Sequence, residues 1–363
     1  MKGVILLAGG GTGGHVFPLV ALAEAFADVA PNVEVRFVGT SKGLEARVVP
    51  ARGWTLETLA IEPMKGRSWF GAARGGMIAG AAIVRAIGLV ARLKPILCVS
   101  IGGYAAGPVG VAAASLGVPL ALLEPNRVAG MTQRLLTPLA RRVYVGFRES
   151  LGPLARKGRA LGIPLRKGFS PRPTTVRDGA LRLFVTGGSQ GAQHLNEVMP
   201  AAVADLISRG AALEVVHQAG RGRADEVRAR YGESGNAKDV QVVEFVEDVP
   251  ARLSWAHLVV SRSGALTCAE LCAIGRPSIL VPYPFAADDH QAANAEALAK
   301  AAAAIAIRQK EATVERLVEA ISGVYGDETM RLSMADAARA RGVPDAAQKI
   351  AEDLLELATG PRR

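Results

Sequence analysis

Residues 8–18, read as A-G-G-G-T-G-G-H-V-F-P, constrain the fold of this chain more than any other stretch. The apolar run 4–8 before them is typical of a buried strand, and a helical pattern begins near Val16. Glycine lets a chain turn sharply and approach a ligand closely, and a helix N-terminus presents unpaired N–H groups with a positive partial charge. The sequence therefore predicts an anion cradle with His15 at its lip, although glycine loops also close ordinary strand–helix turns.

The same pattern returns in the second half of the chain. An apolar run at 181–186 leads into G-G-S-Q-G-A at 187–192, and a helical pattern follows toward Ile207. At 363 residues the chain is long enough for two domains, and helical stretches alternate with apolar runs as parallel doubly wound sheets require. Such sheets bind ligands at the carboxyl ends of their strands, so we expect two similar α/β domains whose glycine loops face one interdomain cleft.

Charge is distributed unevenly along the chain, although the whole carries a net +10. The first 165 residues hold 19 Lys and Arg against 8 Asp and Glu, whereas the remainder holds 24 against 25. The first half therefore faces something anionic, for which a membrane surface, a phosphorylated substrate and nucleic acid are alternatives.

Segment 63–94 is the most cationic part of this half. It contains no acidic residue, and apolar residues with an interfacial tryptophan are interleaved with its cations, a composition typical of a membrane-surface segment. An ordinary alanine-rich helix with its apolar side toward the core is the alternative. The predicted contacts with an anionic membrane surface are Lys65, Arg67, Trp69, Phe70, Arg74 and Arg85.

Residues 95–123 carry no charge over a length that could cross a bilayer. Glycines and prolines interrupt them, which favours strand 96–100, a glycine loop, a short helix near 109–116 and strand 120–123. The three cysteines do not form a disulfide framework, and Cys268 and Cys272, four residues apart, are typical of small core residues rather than metal ligands.

Two segments of the second half carry polar chemistry. In R-S-G-A-L-T-C-A-E at 262–270, the N–H groups of a helix start could hold a diphosphate, and Glu270 could accept two hydrogen bonds from ribose hydroxyls. D-D-H-Q at 288–291 suits sugar hydroxyls, although aspartates also begin helices. The chain contains no D-x-D sequence, so no metal ion and no cofactor are expected.

These motifs, taken in order over nearly the whole chain, resemble the MurG family of N-acetylglucosaminyltransferases. The resemblance lies in G-G-T-G-G-H at 10–15, G-G-Y at 102–104, E-P-N at 124–126, G-G-S-Q-G-A at 187–192, R-S-G-A-L-T at 262–267 with Glu270, and D-D-H-Q at 288–291. It implies a GT-B fold, in which two Rossmann-like domains face a cleft. It also implies inverting transfer of GlcNAc from UDP-GlcNAc to the C4 hydroxyl of MurNAc in lipid I (undecaprenyl-diphosphate-MurNAc-peptide). The implied product is lipid II for peptidoglycan, and the implied location is the cytoplasmic face of the cell (inner) membrane, to which the enzyme would bind peripherally.

The resemblance also divides the chain and assigns residues. It places an acceptor and membrane-association domain at 1–163, a UDP-GlcNAc-binding domain at 164–340, and at 341–363 a helix that can pack back on the first domain. The implied UDP-GlcNAc contacts are Thr12, Gly13, Gly14, Asn126, Arg166, Ser189, Val246, Ala265, Leu266, Thr267, Glu270 and Gln291. Leu123, Pro125 and Ile163 replace the usual family residues, so the resemblance carries no role to these three side chains.

An inverting displacement needs a base for the acceptor hydroxyl. His15 is one candidate because an unperturbed histidine titrates near neutral pH, and orienting the acceptor is its alternative role. Glu124 is the rival base. Helix N-termini with Arg166 or Arg262 would offset the charge of the leaving diphosphate in place of a metal.

Three other functions compete with this one. Another GT-B enzyme, a soluble-acceptor glycosyltransferase or a UDP-GlcNAc 2-epimerase, would have no use for the basic segment 63–94. A dehydrogenase predicts an acidic residue at the end of the second strand, where Val38 leads instead to Gly39 and Thr40. A nucleic-acid-binding module needs more aromatic residues among its cations, so no nucleic-acid partner is expected.

Overall fold

The structure is a computed structural model that describes residues 2–60, 69–154, 156–173, 179–188, 190–233 and 240–360, with the side chains at 69–79 and Pro153 outside that description. The chain forms two compact units. The first comprises Met1–Lys167 together with Asp345–Arg363, and the second comprises Gly168–Pro344.

The first unit is built on a parallel sheet. Its described strands lie in the order β3-β2-β1-β4-β5-β6-β7. They are β1 (Gly3–Gly9), β2 (Val33–Gly39), β3 (Thr55–Thr58), β4 (Leu97–Gly102), β5 (Leu120–Glu124), β6 (Arg142–Val145) and β7 (Gly158–Arg159). The helices are α1 (Gly13–Val29), α2 (Glu45–Val48), α3 (Trp69–Leu93), α4 (Ala106–Ser115), α5 (Met131–Leu136) and, from the end of the chain, α13 (Ala346–Thr359).

The second unit repeats this order in the sheet β10-β9-β8-β11-β12-β13, whose pairs are again parallel. Its strands are β8 (Leu181–Thr186), β9 (Leu213–Gln218), β10 (Val240–Val243), β11 (Leu258–Ser261), β12 (Ser278–Leu280) and β13 (Ala304–Ala306). Its helices are α6 (Gln193–Ser208), α7 (Ala224–Glu233), α8 (Val249–Trp255), α9 (Ala265–Ile274), α10 (His290–Lys300), α11 (Val314–Gly326) and α12 (Glu328–Arg341). Two doubly wound α/β units with parallel sheets confirm the predicted fold class.

Both sheets are buried on their two faces, which explains the near-continuous apolar runs in their central strands. In β1, Ile5 and Leu7 pack into one core cluster with α1, while Leu6 and Ala8 pack into another with α4. The strand order reverses between β1 and β4, and between β8 and β11. Open parallel sheets bind ligands at the carboxyl ends of strands beside such reversals, so each unit has one favoured edge for a site.

The last helix, α13, belongs to the first unit because it packs along α1. Its buried residues Ile350 and Leu354 join the same cluster as Ile5 and Leu7. Asp353 accepts hydrogen bonds from Arg142 and Tyr144 on β6. These contacts explain why the chain returns to the first unit after the second is complete.

The uncharged stretch 95–123 folds as β4, α4 and β5, which confirms the predicted strand, loop, helix and strand. Its charge-free sequence follows from burial, since each residue of β4 and β5 is buried. Within the described residues, no helix combines the length and the apolar character that crossing a bilayer requires.

Candidate active site

The first glycine loop connects β1 to α1 at the reversal point of the first sheet. Thr12 precedes the helix, and its carbonyl accepts hydrogen bonds from the backbone N–H groups of His15 and Val16. Gly13 and Gly14 form the start of the helix, where N–H groups lack intrahelical acceptors. The first turn of α1, all of whose residues are described, contains no acidic side chain to offset the positive helix end. The loop is thus suited to an anionic or polar ligand.

His15 is half-buried in the first turn of α1, and its ring orientation is defined by a contact within the loop. Its Nδ1 lies 3.1 Å from the carbonyl oxygen of Gly10. A carbonyl can only accept, so Nδ1 carries the proton in this contact. In the neutral imidazole the lone pair then lies on Nε2, the tautomer that a general base acting through Nε2 requires.

A buried carboxylate under this loop escaped the sequence analysis. Glu45, at the start of α2, is 2% exposed and accepts hydrogen bonds from the backbone N–H of Gly11 and from the backbone N–H and hydroxyl of Thr40. Burial alone would raise the pKa of Glu45, but these hydrogen bonds outweigh it and hold the pKa below its usual value. The sequence contained no signal for this role, because two of the three donors that Glu45 accepts are backbone N–H groups, and that of Gly11 lies 34 residues away.

Glu124 lies at the end of β5, where it is 4% exposed. One carboxylate oxygen accepts from the backbone N–H of Asn126 at 2.9 Å and from its side chain at 3.3 Å, and the other accepts from the N–H of Gly130 at 3.0 Å. Burial raises the pKa of Glu124 to about 7, although these hydrogen bonds and the charge of Arg134 lower it. Glu124 therefore organises the loop that carries Asn126 and titrates near neutrality.

Arg166 lies in the first unit, close to the N-terminal turn of α1. Its guanidinium stacks over the ring of Phe17, 4.7 Å from the centroid. The same ring borders Gly13, whose added Cβ would lie 3.2 Å from it. The structure thus brings Arg166 beside the glycine loop, at the positive end of the helix.

The second glycine loop joins β8 to α6. Gly188 donates its N–H to the hydroxyl of Thr186, and its carbonyl accepts from Gln218. Gly191 has a φ of 69°, and a Cβ at this position would lie 2.1 Å from the carbonyl oxygen of Ala219. Only glycine fits such a close crossing of two backbone segments. Ser189 lies outside the described residues.

The start of α9 forms the other side of the reversal point in the second sheet. Ala265, Leu266 and Thr267 make up its first turn, where backbone N–H groups are left for an external acceptor. Glu270 lies in the following turn and is 8% exposed. A helix start followed by a nearly buried carboxylate suits a diphosphate joined to a sugar with vicinal hydroxyls.

Gln291, at the start of α10, is tied to the same region. Its backbone carbonyl accepts a hydrogen bond from the Ser263 hydroxyl at 2.7 Å. Its side-chain oxygen accepts from the backbone N–H of Tyr283 at 3.0 Å, which orients the amide and assigns Nε2 as its donor. The structure therefore brings the predicted residues of 262–270 and Gln291 together.

The sequence suggested that Arg262 offsets the charge of a diphosphate, but in the structure its guanidinium binds groups of the protein itself. It is 8% exposed, and its guanidinium donates to the carbonyls of Val281 and Pro282 and to the side chain of Gln309. Burial lowers its pKa. These contacts make Arg262 a support for the segment after β12. The sequence did not reveal this, because two of the three acceptors are backbone carbonyls about 20 residues away.

Val246 lies beside a pocket of about 360 Å³ between the end of β10 and the helix α8. The pocket is lined by Val243, Phe245, Val246, Glu247, Asp248, Ala251, Arg252 and Trp255. Phe245 is 54% exposed at its rim, and the guanidinium of Arg252 stacks on the ring of Trp255. Its size and aromatic rim suit a planar ring.

Most of the predicted membrane contacts lie outside the part of the chain that the structure describes. Lys65 and Arg67, and the side chains of Trp69, Phe70 and Arg74, lie outside the described residues. Arg85 is described and exposed on α3, where it donates to the carbonyl of Ala60. Across the described part of the chain, no group of three or more His, Cys, Asp or Glu side chains could hold a metal ion.

Comparison with known families assigns this architecture. Residues 5–145 match the glycosyltransferase family 28 N-terminal domain, and residues 182–350 match the glycosyltransferase family 28 C-terminal domain. The chain belongs to glycosyltransferase family 28. The N-terminal match of the family 28 enzyme lies within the first unit. The C-terminal match lies within the second unit, except for its last few residues.

Relatives of the family 28 enzyme are similar to it over most of their length. A protein of Sorangium cellulosum is 51% identical, with 99% of this chain and 89% of the relative covered. One from Acidithiobacillus ferrooxidans is 42% identical, with 99% of each chain covered. Both are called UDP-N-acetylglucosamine--N-acetylmuramyl-(pentapeptide) pyrophosphoryl-undecaprenol N-acetylglucosamine transferase.

Solved structures agree with this assignment. The crystal structure of Acinetobacter baumannii MurG is 30% identical and superposes with a TM-score of 0.83, covering 98% of this chain and all of the other. A UDP-GlcNAc 2-epimerase from Neisseria meningitidis superposes with a TM-score of 0.69 over 98% of this chain, but at 13% identity it shows a shared fold alone. These similarities confirm the predicted resemblance to MurG and the prediction that the chain is a glycosyltransferase.

Proposed function

We propose that this protein transfers GlcNAc from UDP-GlcNAc to the C4 hydroxyl of MurNAc in the lipid-linked acceptor lipid I, with inversion at C1, to form lipid II. The observation that carries this function is similarity over 99% of this chain, at 51% and 42% identity, to two proteins whose names describe this GlcNAc transfer. The two strand–loop–helix edges support it, because a nucleotide sugar and a diphosphate-linked acceptor both require anion-binding edges.

The donor contacts that we propose follow the order of the nucleotide sugar along the second unit. The backbone of Val246 binds uracil beside the pocket rimmed by Phe245. The N–H groups at the start of α9 bind the diphosphate, Glu270 binds the ribose hydroxyls and Gln291 binds GlcNAc through its amide. The remaining proposed donor contacts are Thr12, Gly13, Gly14, Asn126, Arg166 and Ser189.

For the chemical step we propose that His15 takes the proton of the acceptor hydroxyl. The contact between His15 Nδ1 and the Gly10 carbonyl supports this role, because it leaves the accepting lone pair of the neutral ring on Nε2. As the bond between C1 and the diphosphate breaks, negative charge develops on UDP, and the N–H groups at the helix start stabilise it as preorganised donors. Arg166 adds positive charge beside α1, whereas Arg262 acts through the segment that it supports.

Glu124 remains the second candidate for the base. Its pKa near neutrality favours the role, but both of its oxygens already accept hydrogen bonds from the 126–130 loop. A carboxylate held in this way is better suited to fixing Asn126 than to collecting a proton. We therefore rank His15 first. The pH dependence of kcat/KM in Glu124→Gln, together with kcat of His15→Ala, separates the two roles.

The test of the transferase function is release of UDP from UDP-GlcNAc in excess EDTA, with and without a soluble lipid I analogue. We expect release that depends on the acceptor, with the disaccharide product found by mass spectrometry. A 2-epimerase would convert the sugar without the acceptor, and a soluble-acceptor transferase would leave the lipid I analogue unchanged. Either result would contradict the proposal.

The same assay tests the role of His15. A fall in kcat of less than about tenfold for His15→Ala would exclude His15 as the base, because general base catalysis supplies a rate factor of ~10²–10⁴.

We also propose that the first unit contacts an anionic membrane surface, through the predicted residues on 63–94 and through α5. Met131 and Leu135, four residues apart on α5, are 67% and 70% exposed, and Leu139 is 47% exposed just beyond the helix. Arg134 is exposed on the same helix. Apolar side chains beside cations are what binding to anionic lipid requires.

Vesicle flotation tests this contact. We expect the protein to float with vesicles that contain anionic lipid and to remain in solution with neutral ones. Met131→Ser with Leu135→Ser should lower the bound fraction several-fold, whereas Met330→Ser, on the second unit, is the matched control for removing an exposed methionine. Equal binding by all three proteins would contradict a role for α5.

A further inference from the structure

The carboxylate of Glu45 occupies a space that three glycines leave for it. It accepts from Gly11 N at 2.8 Å, Thr40 N at 2.9 Å and the Thr40 hydroxyl at 2.8 Å. A Cβ built on Gly10, Gly39 or Gly43 would lie 2.3, 2.5 or 2.1 Å from the Glu45 side chain. A carboxylate enclosed at this density has one position, so whatever it binds is held in one orientation as well.

One peptide group connects Glu45 to His15. The N–H that Glu45 accepts belongs to Gly11, and the carbonyl that accepts from His15 Nδ1 at 3.1 Å belongs to Gly10. These N–H and C=O groups are the two ends of the same planar peptide unit. Glu45 thus fixes the rotation of that unit and, through it, the direction of the carbonyl that meets the imidazole.

We propose that Glu45 is a positioning residue for His15: through the Gly10–Gly11 peptide it holds the histidine in the tautomer with the proton on Nδ1 and the lone pair on Nε2. This inference rests on the proposed function, in which His15 accepts the proton of the acceptor hydroxyl. The arrangement resembles a carboxylate–histidine pair with a peptide inserted between the two groups. A negative charge on the N–H side polarises the peptide, so its carbonyl becomes a stronger acceptor for Nδ1–H.

The connection also explains why the acid is ionised although it is enclosed. In the described contacts, the carboxylate accepts from three donors and meets no positively charged side chain. The hydrogen bonds keep its pKa below the usual value. One Glu45 oxygen accepts both Thr40 donors and the other accepts the Gly11 N–H, so the single accepting atom of glutamine would face Thr40 and its NH2 group would oppose the Gly11 N–H. The peptide would then rotate or lose its partner.

The experiment compares Glu45→Gln with the unaltered protein by nitrogen NMR of the histidine rings and by steady-state kinetics with UDP-GlcNAc and a soluble lipid I analogue. The spectrum of His15→Ala identifies the His15 signals among the five histidines. We expect the Nδ1–H tautomer in the unaltered protein and a mixture or the Nε2–H tautomer in Glu45→Gln. We also expect kcat to fall about tenfold to a hundredfold, a part of the ~10²–10⁴ that base catalysis supplies.

Two controls and one alternative variant make the result specific. Thr40→Val removes one donor but retains the Gly11 contact, so it should keep both the tautomer and kcat within about twofold. The Kd for UDP, whose proposed contacts lie mainly on the second unit, should change less than twofold in Glu45→Gln. Should that variant not fold, Glu45→Asp asks the same question, because it retains the charge and withdraws the carboxylate by one methylene.

A folded Glu45 variant with the original tautomer, or with kcat within twofold of the unaltered protein, overturns the proposal, as does an Nε2–H tautomer in the unaltered protein. Failure of the proposed function has a different signature. If His15→Ala keeps its kcat, His15 is not the base, while the nitrogen shifts still decide whether Glu45 sets the tautomer.

Discussion

Tyr144 on β6 donates its hydroxyl to Asp353 on α13, a residue 209 positions later in the chain. Arg142, two residues before Tyr144, donates to the same carboxylate. The final helix thus completes the first unit through a charge-assisted contact as well as through its apolar face. Loss of this carboxylate would leave the buried Tyr144 hydroxyl without this acceptor and would remove the charged partner of the Arg142 guanidinium.

We expect Asp353→Ala to lower the free energy of unfolding by about 2–3 kcal/mol, because unsatisfied partners of a charged acceptor carry that cost. Urea unfolding followed by circular dichroism measures it. Glu352→Ala is the matched control, since this neighbouring acid is exposed and its described hydrogen bond goes to Gln348 on the same helix. Equal midpoints for the two variants would show that α13 is held by its apolar face alone.

A second prediction concerns the close crossing at Gly191. Gly191→Ala must adopt a φ of 69° and must also displace the Ala219 carbonyl, which a Cβ would approach to 2.1 Å. Gly210→Ala is the control, because Gly210 has a φ of 89° and no atom within 4 Å of an added Cβ. We expect the control to lose about 1 kcal/mol of stability with unchanged Kd for UDP-GlcNAc. Gly191→Ala should lose more and bind UDP-GlcNAc at least about tenfold more weakly by calorimetry, and equal Kd values would exclude the second loop from the donor site.

The sequence predicted those parts of the fold that depend on local pattern. Apolar runs followed by glycines located the strand–loop–helix edges, and the interrupted stretch 95–123 was recognised as β4, α4 and β5. These features follow from burial on both sheet faces and from glycine at sharp turns, which are visible in a short window.

The supports of the site were beyond reach of such patterns. Glu45 contacts Gly11 across 34 residues, and Arg262 contacts carbonyls about 20 residues away. Their partners are mainly backbone atoms, which every residue possesses, so no side-chain pattern in the sequence indicates them. Both therefore emerged only when the structure placed distant segments side by side.

Arg262 provides a third prediction. Lysine retains the charge but has one compact head group, which cannot reach the carbonyls of Val281 and Pro282 and the side chain of Gln309 together. We expect Arg262→Lys to destabilise the protein by about 2–4 kcal/mol and to raise the KM for UDP-GlcNAc several-fold, because the segment leading to Gln291 loosens. Arg316→Lys, at an exposed pair with Glu319, should change stability by less than about 0.5 kcal/mol. A KM unaffected by Arg262→Lys would contradict the supporting role.

Glu124 gives the last prediction, which concerns pH. Its pKa is about 7 in the folded protein against an ordinary 4.5, because burial disfavours the charged form. Between these values the folded protein retains a proton that the unfolded chain has released, so the contribution of Glu124 to stability falls as pH rises from about 4.5 to about 7. Glu124→Gln does not titrate, so its stability relative to the unaltered protein should improve across that window by at most about 1.4 kcal/mol per pH unit.

Urea midpoints measured through this range test the prediction, with Glu356→Gln as a control at an exposed position on α13. The control should follow the unaltered protein at every pH. A stability difference for Glu124→Gln that is independent of pH would show that the carboxyl ionises normally despite its burial.

The same variant also tests which residue is the base. If His15 is the base, Glu124→Gln should lose activity through its displaced loop but retain the rise of kcat/KM with pH. Loss of that rise would instead assign the base to Glu124, because kcat/KM reports the essential groups of the free enzyme.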